Sequence, residues 1–157
     1  WPGNRDRQVV SQSLEQVQLS DLAHRQVSEL SGGQRQRMFI ARALAQEAEL
    51  ILLDEPMAGL DLVSQEQIIR ILDGLRSRGM TVLVATHDLE FAAKYFDRIL
   101  LLNRTLIAYG SAADVLTTKN LETAYGGHMQ VVETSEGKFM IGDIGGHHGH
   151  EGKGHHG

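Results

Sequence analysis

Two kinds of apolar spacing alternate along the first 116 residues, and together they predict a strand-and-helix fold. Residues 8–19 carry apolar positions at Val9, Val10, Leu14, Val17 and Leu19 among Gln, Ser and Glu, the spacing of an amphipathic helix. From Gln34 to about Ala48 the periodicity is again helical, with Met38, Phe39, Ile40, Ala41, Ala43, Leu44 and Ala45 covering most of the circumference. Arg42 and Gln46 each fall within about 20° of Arg35 at 100° per residue, one polar stripe that reads as a solvated face. Glu49–Leu53 is then a short continuous apolar run, the pattern of a strand buried on both faces. A helix over about Leu62 to Arg78 follows, with Ile68, Ile69, Ile71, Leu72 and Leu75 on its apolar arc and Glu66 one turn from Arg70. Asp61 and Ser64 both qualify as its N-cap. A second strand, Thr81–Ala85, comes next, so strand, helix, strand implies a parallel pair joined by a right-handed crossover. Beyond it, Asp88 caps a short helix to Phe96, Asp97–Asn103 and Leu106–Tyr109 pair as a hairpin, and Ser111 caps a helix over Ala112–Leu116.

Three polar interruptions of this pattern carry the candidate chemistry. The first is Leu30-Ser31-Gly32-Gly33-Gln34-Arg35-Gln36-Arg37, where a hydroxyl and two residues without a Cβ stand at a helix start. Free N–H groups and the positive end of the helix dipole converge there, which suits an anionic ligand such as a phosphate. The second is Asp54-Glu55-Pro56 at the end of the first strand, followed by Ala58-Gly59-Leu60-Asp61. Paired carboxylates at a strand tip need a metal, a proton or a reacting water to compensate them. Alternation along the strand is expected to turn Asp54 and Glu55 to opposite sides, giving the two acids different jobs. The third is Thr86-His87-Asp88 past the second strand, where open α/β sheets collect ligands. His24, by contrast, has no partner at a metal-binding spacing and reads as a surface residue.

In this order the three interruptions resemble the ATP-binding subunit of an ABC transporter: signature sequence at Leu30–Gln34, Walker B strand and acidic pair at Ile51–Glu55, D-loop at Ala58–Asp61 and switch histidine at His87. The resemblance extends over residues 1–142 and implies a P-loop NTPase (RecA-like) α/β fold with a parallel sheet and the remnant of the ABC helical subdomain. It divides the chain into 1–48, the end of that subdomain with the signature; 49–142, the C-terminal part of the ATPase core; and 143–157, a tail. It also implies ATP and Mg²⁺ as cofactors. Ser31, Gly32, Gly33, Gln34, Asp54 and Asp61 would be the nucleotide-side residues, Asp54 holding Mg²⁺ through its water shell. Glu55 would orient or deprotonate the attacking water, and His87 would contact the γ-phosphate. The implied partners are a second ATPase subunit in a head-to-tail dimer, an integral membrane permease and, indirectly, a solute-binding protein, with the subunit on the cytoplasmic face of the membrane. Tyr95-Phe96-Asp97, Leu101-Leu102-Asn103, Leu106-Ile107-Ala108 and Tyr125-Gly126-Gly127 resemble the metal-ion branch, which imports zinc, manganese or iron.

Composition narrows the alternatives. The net charge of −5 argues against a nucleic-acid partner and, with the lack of long coiled coils, against a non-transport ABC ATPase. No cysteine is present, which removes disulfide and thiolate chemistry, and the apolar runs are too short to span a membrane. From Gly142 glycine and histidine dominate, with His147, His148, His150, His155 and His156 in the final stretch. Neutral imidazoles at this density bind Zn, Ni or Cu, so a metal-buffering or sensing extension is expected. A solubilising tail or a foreign appended sequence are the other readings.

The P-loop pattern G-x-x-x-x-G-K-[ST] does not occur in these residues, since Gly137-Lys138 is followed by Phe139 and Gly152-Lys153 by Gly154. The chain also opens on Trp1 without an initiator methionine. The expectation is therefore the C-terminal part of a subunit, poor at hydrolysing ATP alone. A non-catalytic fragment acting as an interaction or metal-buffering module is the alternative.

Overall fold

The computed structural model describes residues 3–126, 129–133 and 139–143. Their elements run α1 (Asn4–Gln16), α2 (Gly32–Leu44), β1 (Leu50–Asp54), α3 (Leu62–Ser77), β2 (Thr81–Ala85) and α4 (Leu89–Tyr95). Then come β3 (Ile99–Asn103), β4 (Thr105–Gly110), α5 (Ala112–Val115), α6 (Thr118–Tyr125), β5 (Met129–Glu133) and β6 (Phe139–Asp143). Two 3₁₀ turns, Ser20–Leu22 and Val27–Glu29, join α1 to α2. The chain divides into two compact units, Trp1–His87 and Asp88–Gly157.

In the first unit β1 and β2 pair in parallel with Ile51 opposite Val82 and Asp54 opposite Ala85, as the strand-helix-strand order requires. Val17, Leu19, Ile40, Ala41, Leu44, Ile51, Ile68, Ile71, Leu72 and Leu75 form one core beneath them. Burial of this set is what holds the helices on the sheet, each full side chain contributing about 1.5–3 kcal/mol. The strand expected to be buried on both faces is buried on one: Ile51 is 2% exposed, whereas Leu52 is 66% and Leu50 50% exposed. The core gathered beneath the strands covers only the Ile51 side. Leu83 on β2 is exposed too, at 45%.

The starts of the helices are set by side-chain caps. Ser31 caps α2, its Oγ accepting from the Gln34 amide (3.3 Å) while Gln34 Oε1 accepts from the Ser31 amide (3.0 Å). Asp61, not Ser64, is the N-cap of α3: Ser64 lies in the first turn and its amide donates to Asp61 Oδ1 at 2.9 Å. Glu66 and Arg70 pair at 3.0 Å on the exposed side of α3. Arg35 and Arg42 are exposed on α2, as a solvated stripe requires; α2 ends at Leu44, short of the expected Ala48, so Gln46 is exposed in the turn beyond it, and His24 is exposed too.

In the second unit β3 and β4 form the antiparallel hairpin, with Leu100 opposite Tyr109. Ile99, Leu101, Val115, Leu116 and Leu121 pack as its core. Asp88 caps α4 through the Phe91 amide and Ser111 caps α5 through the Asp114 amide. The helix α6 and the antiparallel pair β5–β6 were not expected from the sequence pattern. Among the described residues no helix is long and apolar enough to cross a membrane. The tail histidines His147, His148, His150, His155 and His156 lie outside the described residues.

Candidate functional site

Both candidate turns belong to the first unit. At the tip of β1, Asp54 is the last strand residue and its side chain is exposed. Glu55 keeps one ladder bond, its amide donating to the Ala85 carbonyl at 2.9 Å. There the chain leaves the strand conformation, because Glu55 has φ of 43°. A non-glycine residue in the left-handed region is strained by contact between its Cβ and the backbone, and such strain concentrates at functional turns. The expected strand alternation therefore does not set the directions of the two acids, since this reversal aims Glu55 instead.

What Glu55 meets is the start of the segment after β2. Oε1 accepts from the His87 backbone amide at 2.8 Å and lies 2.6 Å from His87 Nδ1. Oε2 accepts from the Thr86 hydroxyl at 3.2 Å. A carboxylate only accepts, so Nδ1 carries the proton in this contact and Nε2 is left facing away from it. The side chain of His87 is 85% exposed and that of Glu55 35%, so both are reachable from solvent. The His87 side-chain hydrogen bond, helped by the His87 amide, holds the Glu55 carboxyl below the usual carboxylate range. The site thus pairs an anionic base with an exposed imidazole.

The Ser31 turn presents a different chemistry. The first amides of any helix lack intrahelical acceptors, and here Ser31 Oγ accepts from that of Gln34. Ser31 keeps its hydroxyl proton to donate. On its other side the turn is close-packed. A Cβ added to Gly33 would lie 2.5 Å from Ser64 Oγ and 2.7 Å from Ser64 Cβ, and one added to Gly32 would lie 3.3 Å from Leu60 Cδ2. The Asp61 turn is itself tied down: Ser64 Oγ donates to Asp61 Oδ2 at 2.9 Å and Gln65 Nε2 donates to the Leu60 carbonyl at 3.1 Å. The Ser64 amide, then its hydroxyl, depresses the Asp61 carboxyl. Of the expected site residues, the structure therefore joins Glu55 to His87 and packs the Ser31 turn against the Asp61 turn.

Three contributors were missed in the sequence. Thr86 was legible only as the neighbour of His87, and Ser64 only as a second cap. Arg37 is 8% exposed, with Nη1 donating to the carbonyls of Val17 (3.1 Å) and Gln18 (3.3 Å), so it ties α2 to the end of α1. Its burial lowers the guanidinium pKa by desolvation. The available signal was angular: Arg37 sits about 200° round the helix from Arg35, on the apolar side.

Fit to a magnesium nucleotide follows from the donor set. Among the described residues no group of three or more His, Asp or Glu side chains makes a self-contained metal cage. Mg²⁺ needs none, because it keeps several waters and takes one or two carboxylates together with phosphate oxygens. A single exposed Asp54 at the strand tip suits that role.

A parallel strand pair with carboxylates and a histidine at its carboxyl end, and a glycine turn opening a helix in the same unit, belong to an α/β fold of the P-loop NTPase class. Residues 3–58 match the ABC transporter family. It is 50% identical over 139 residues to the manganese transport system ATP-binding protein MntB of Halalkalibacterium halodurans, covering 88% of this chain and 56% of that protein. It is 44% identical over 128 residues to the zinc transport system ATP-binding protein TroB of Treponema pallidum, covering 82% of this chain and 48% of that one. Among solved structures it resembles an inward-facing metal-chelate type ABC transporter with a TM-score of 0.75 and 38% identity, over 90% of this chain and 57% of that chain. The chain thus spans about half the length of the relatives it matches.

Proposed function

We propose that this chain supplies the signature turn and the catalytic acid of an ATPase subunit that powers import of a divalent metal ion, manganese or zinc. The observation that carries the reading is the Glu55–His87 contact of 2.6 Å at the end of a parallel strand pair, in the same unit as the Ser31 turn. The manganese and zinc systems of its relatives support the cargo class. In this reading Glu55 orients the attacking water and accepts its proton, while Thr86 and His87 hold the carboxylate anionic and aimed. His87 would contact the terminal phosphate. Asp54 would hold Mg²⁺, which when bound neutralises charge on the phosphates. The Ser31 hydroxyl and the Gly32 and Gly33 amides close on the nucleotide of a second subunit.

The phosphate-binding loop comes from residues equivalent to the half of the relatives that this chain does not span. The exposed Leu50, Leu52 and Leu83 face gives that half an apolar surface to cover. A membrane permease and, indirectly, a solute-binding protein of the same system complete the assembly, with this chain on the cytoplasmic face of the membrane. The test is ATP-dependent association with a complete relative subunit such as MntB, followed by analytical ultracentrifugation. A complex that forms with ATP and fails in S31R supports the reading. A chain that never associates, with or without ATP, removes it.

The tail supports a second, separate activity. His147, His148, His150, His155 and His156 stand within eleven residues at the end of the chain, and at neutral pH imidazoles at this density take up zinc. Calorimetric zinc titration with and without residues 147–157 checks this: binding confined to the longer form is expected, and equal binding by both forms would refute it.

A further inference from the structure

Glycine pairs at a ligand-facing turn are ordinarily explained by the ligand, which needs the backbone to come close. The geometry points elsewhere for Gly33. This residue is buried, and the place of its missing Cβ is taken by Ser64, with Oγ at 2.5 Å and Cβ at 2.7 Å. Real Cβ atoms do not approach that closely, so the second glycine of the turn is required by the protein itself. Ser64 is in turn pinned by both oxygens of Asp61, at 2.9 Å each. Gly32 meets Leu60 from the same segment.

We propose that Ser64 is the positioning residue of the Ser31 turn: packed into the notch of Gly33 and held by Asp61, it locks the signature turn to the Asp61 turn as one body. The inference rests on the ATPase reading above for its functional meaning, because Ser31 then faces one nucleotide while Asp61 lies six residues after the catalytic Glu55 of another. Movement of the acidic tip on hydrolysis is passed through 56–64 to the Ser31 hydroxyl within the same subunit. Ser64 touches neither nucleotide in this account.

Compensation between the two positions tests the packing directly in the chain as it stands. G33A is expected to lower Tm by about 5 °C or more, S64G by roughly 2 °C, and the double variant G33A/S64G to melt close to S64G alone, because the notch is reopened. Additive losses in the double variant overturn the proposal. If G33A does not fold, amide exchange decides. The reporters are Gln34 and Arg35, whose amides donate to Ser31 Oγ (3.3 Å) and to its carbonyl (2.8 Å). D61A should speed their exchange roughly fivefold while the Ile40 and Leu44 amides stay protected, and D88A, which removes the α4 cap in the other unit, should leave them alone. Unchanged exchange at Gln34 and Arg35 in D61A overturns the proposal. Neither measurement involves nucleotide, so failure of the ATPase reading would appear separately, as loss of ATP-dependent association by an intact lock.

Discussion

The Ser31 turn and the Glu55 tip lie in one unit, yet different forces hold them. The Ser31 turn is fixed by close packing of Gly33 on Ser64 and by reciprocal capping between Ser31 and Gln34. The Glu55 tip is a strained backbone whose carboxylate is held through three hydrogen bonds from Thr86 and His87. A packed turn resists displacement and transmits it. A hydrogen-bonded acid can exchange partners, which a residue that handles a proton must do. In the proposed ATPase reading, the difference suits one turn to reading the nucleotide and the other to acting on it.

The largest effect that would sharpen this contrast is chemical. With the chain assembled into a complete ATPase, E55Q should lower turnover by about 10²–10⁴-fold, roughly 3–5 kcal/mol of barrier, while nucleotide binding is retained. Steady-state hydrolysis and fluorescent-nucleotide binding read the two separately, and equal losses in both would make Glu55 a binding residue. Next in size is the cap on the packed turn. S31A should cost about 1 kcal/mol of stability in urea denaturation, with the Glu55–His87 contact undisturbed in the NMR spectrum. A stability change near zero would show that packing against Ser64 alone suffices.

Acidity acts on the tip. The Glu55 carboxyl lies below its ordinary range because the folded state favours the anion, so this contribution is complete above the unfolded carboxylate value. It is lost as pH falls through the depressed folded value. Exchange of the His87 amide should rise across that acid range, and H87A should shift the Glu55 titration upward toward the ordinary carboxylate value. A titration unmoved by H87A would mean that the imidazole does not hold the acid. The smallest expected effect is at the solvated face of α3, where E66Q removes an exposed ion pair of 3.0 Å and should change stability by less than about 0.5 kcal/mol.

Much of the fold was legible because its signals are local. The apolar arcs of α2 and α3, the five-residue strand Thr81–Ala85, and the caps at Ser31, Asp88 and Ser111 depend on spacing and on one side chain reaching its own helix. The candidate residues Glu55 and His87 were legible as a motif, and their contact follows from the parallel pairing of β1 with β2. What stayed hidden depends on distant partners. The left-handed backbone of Glu55 has no signature in the residue itself. Leu52 looked like a core residue because a strand's apolar content does not say whether both its faces are covered. Arg37 was legible only as the last residue of the Leu30–Arg37 stretch, and the carbonyls of Val17 and Gln18 about twenty residues earlier are what make its burial tolerable. The notch of Gly33 needed the position of Ser64, which only the tertiary structure gives.

The central proposal is that this chain holds the acid and the signature turn of a nucleotide clamp whose phosphate-binding loop is supplied by residues equivalent to the part of the relatives that this chain does not span. Phosphate release measured for the purified chain alone, and again after mixing with a polypeptide carrying the P-loop half of a relative, tests it most directly. The account predicts no saturable turnover alone and saturable turnover in the mixture that E55Q abolishes. Turnover by the chain alone within tenfold of an intact transporter ATPase, or a mixture that captures no ATP, would contradict it.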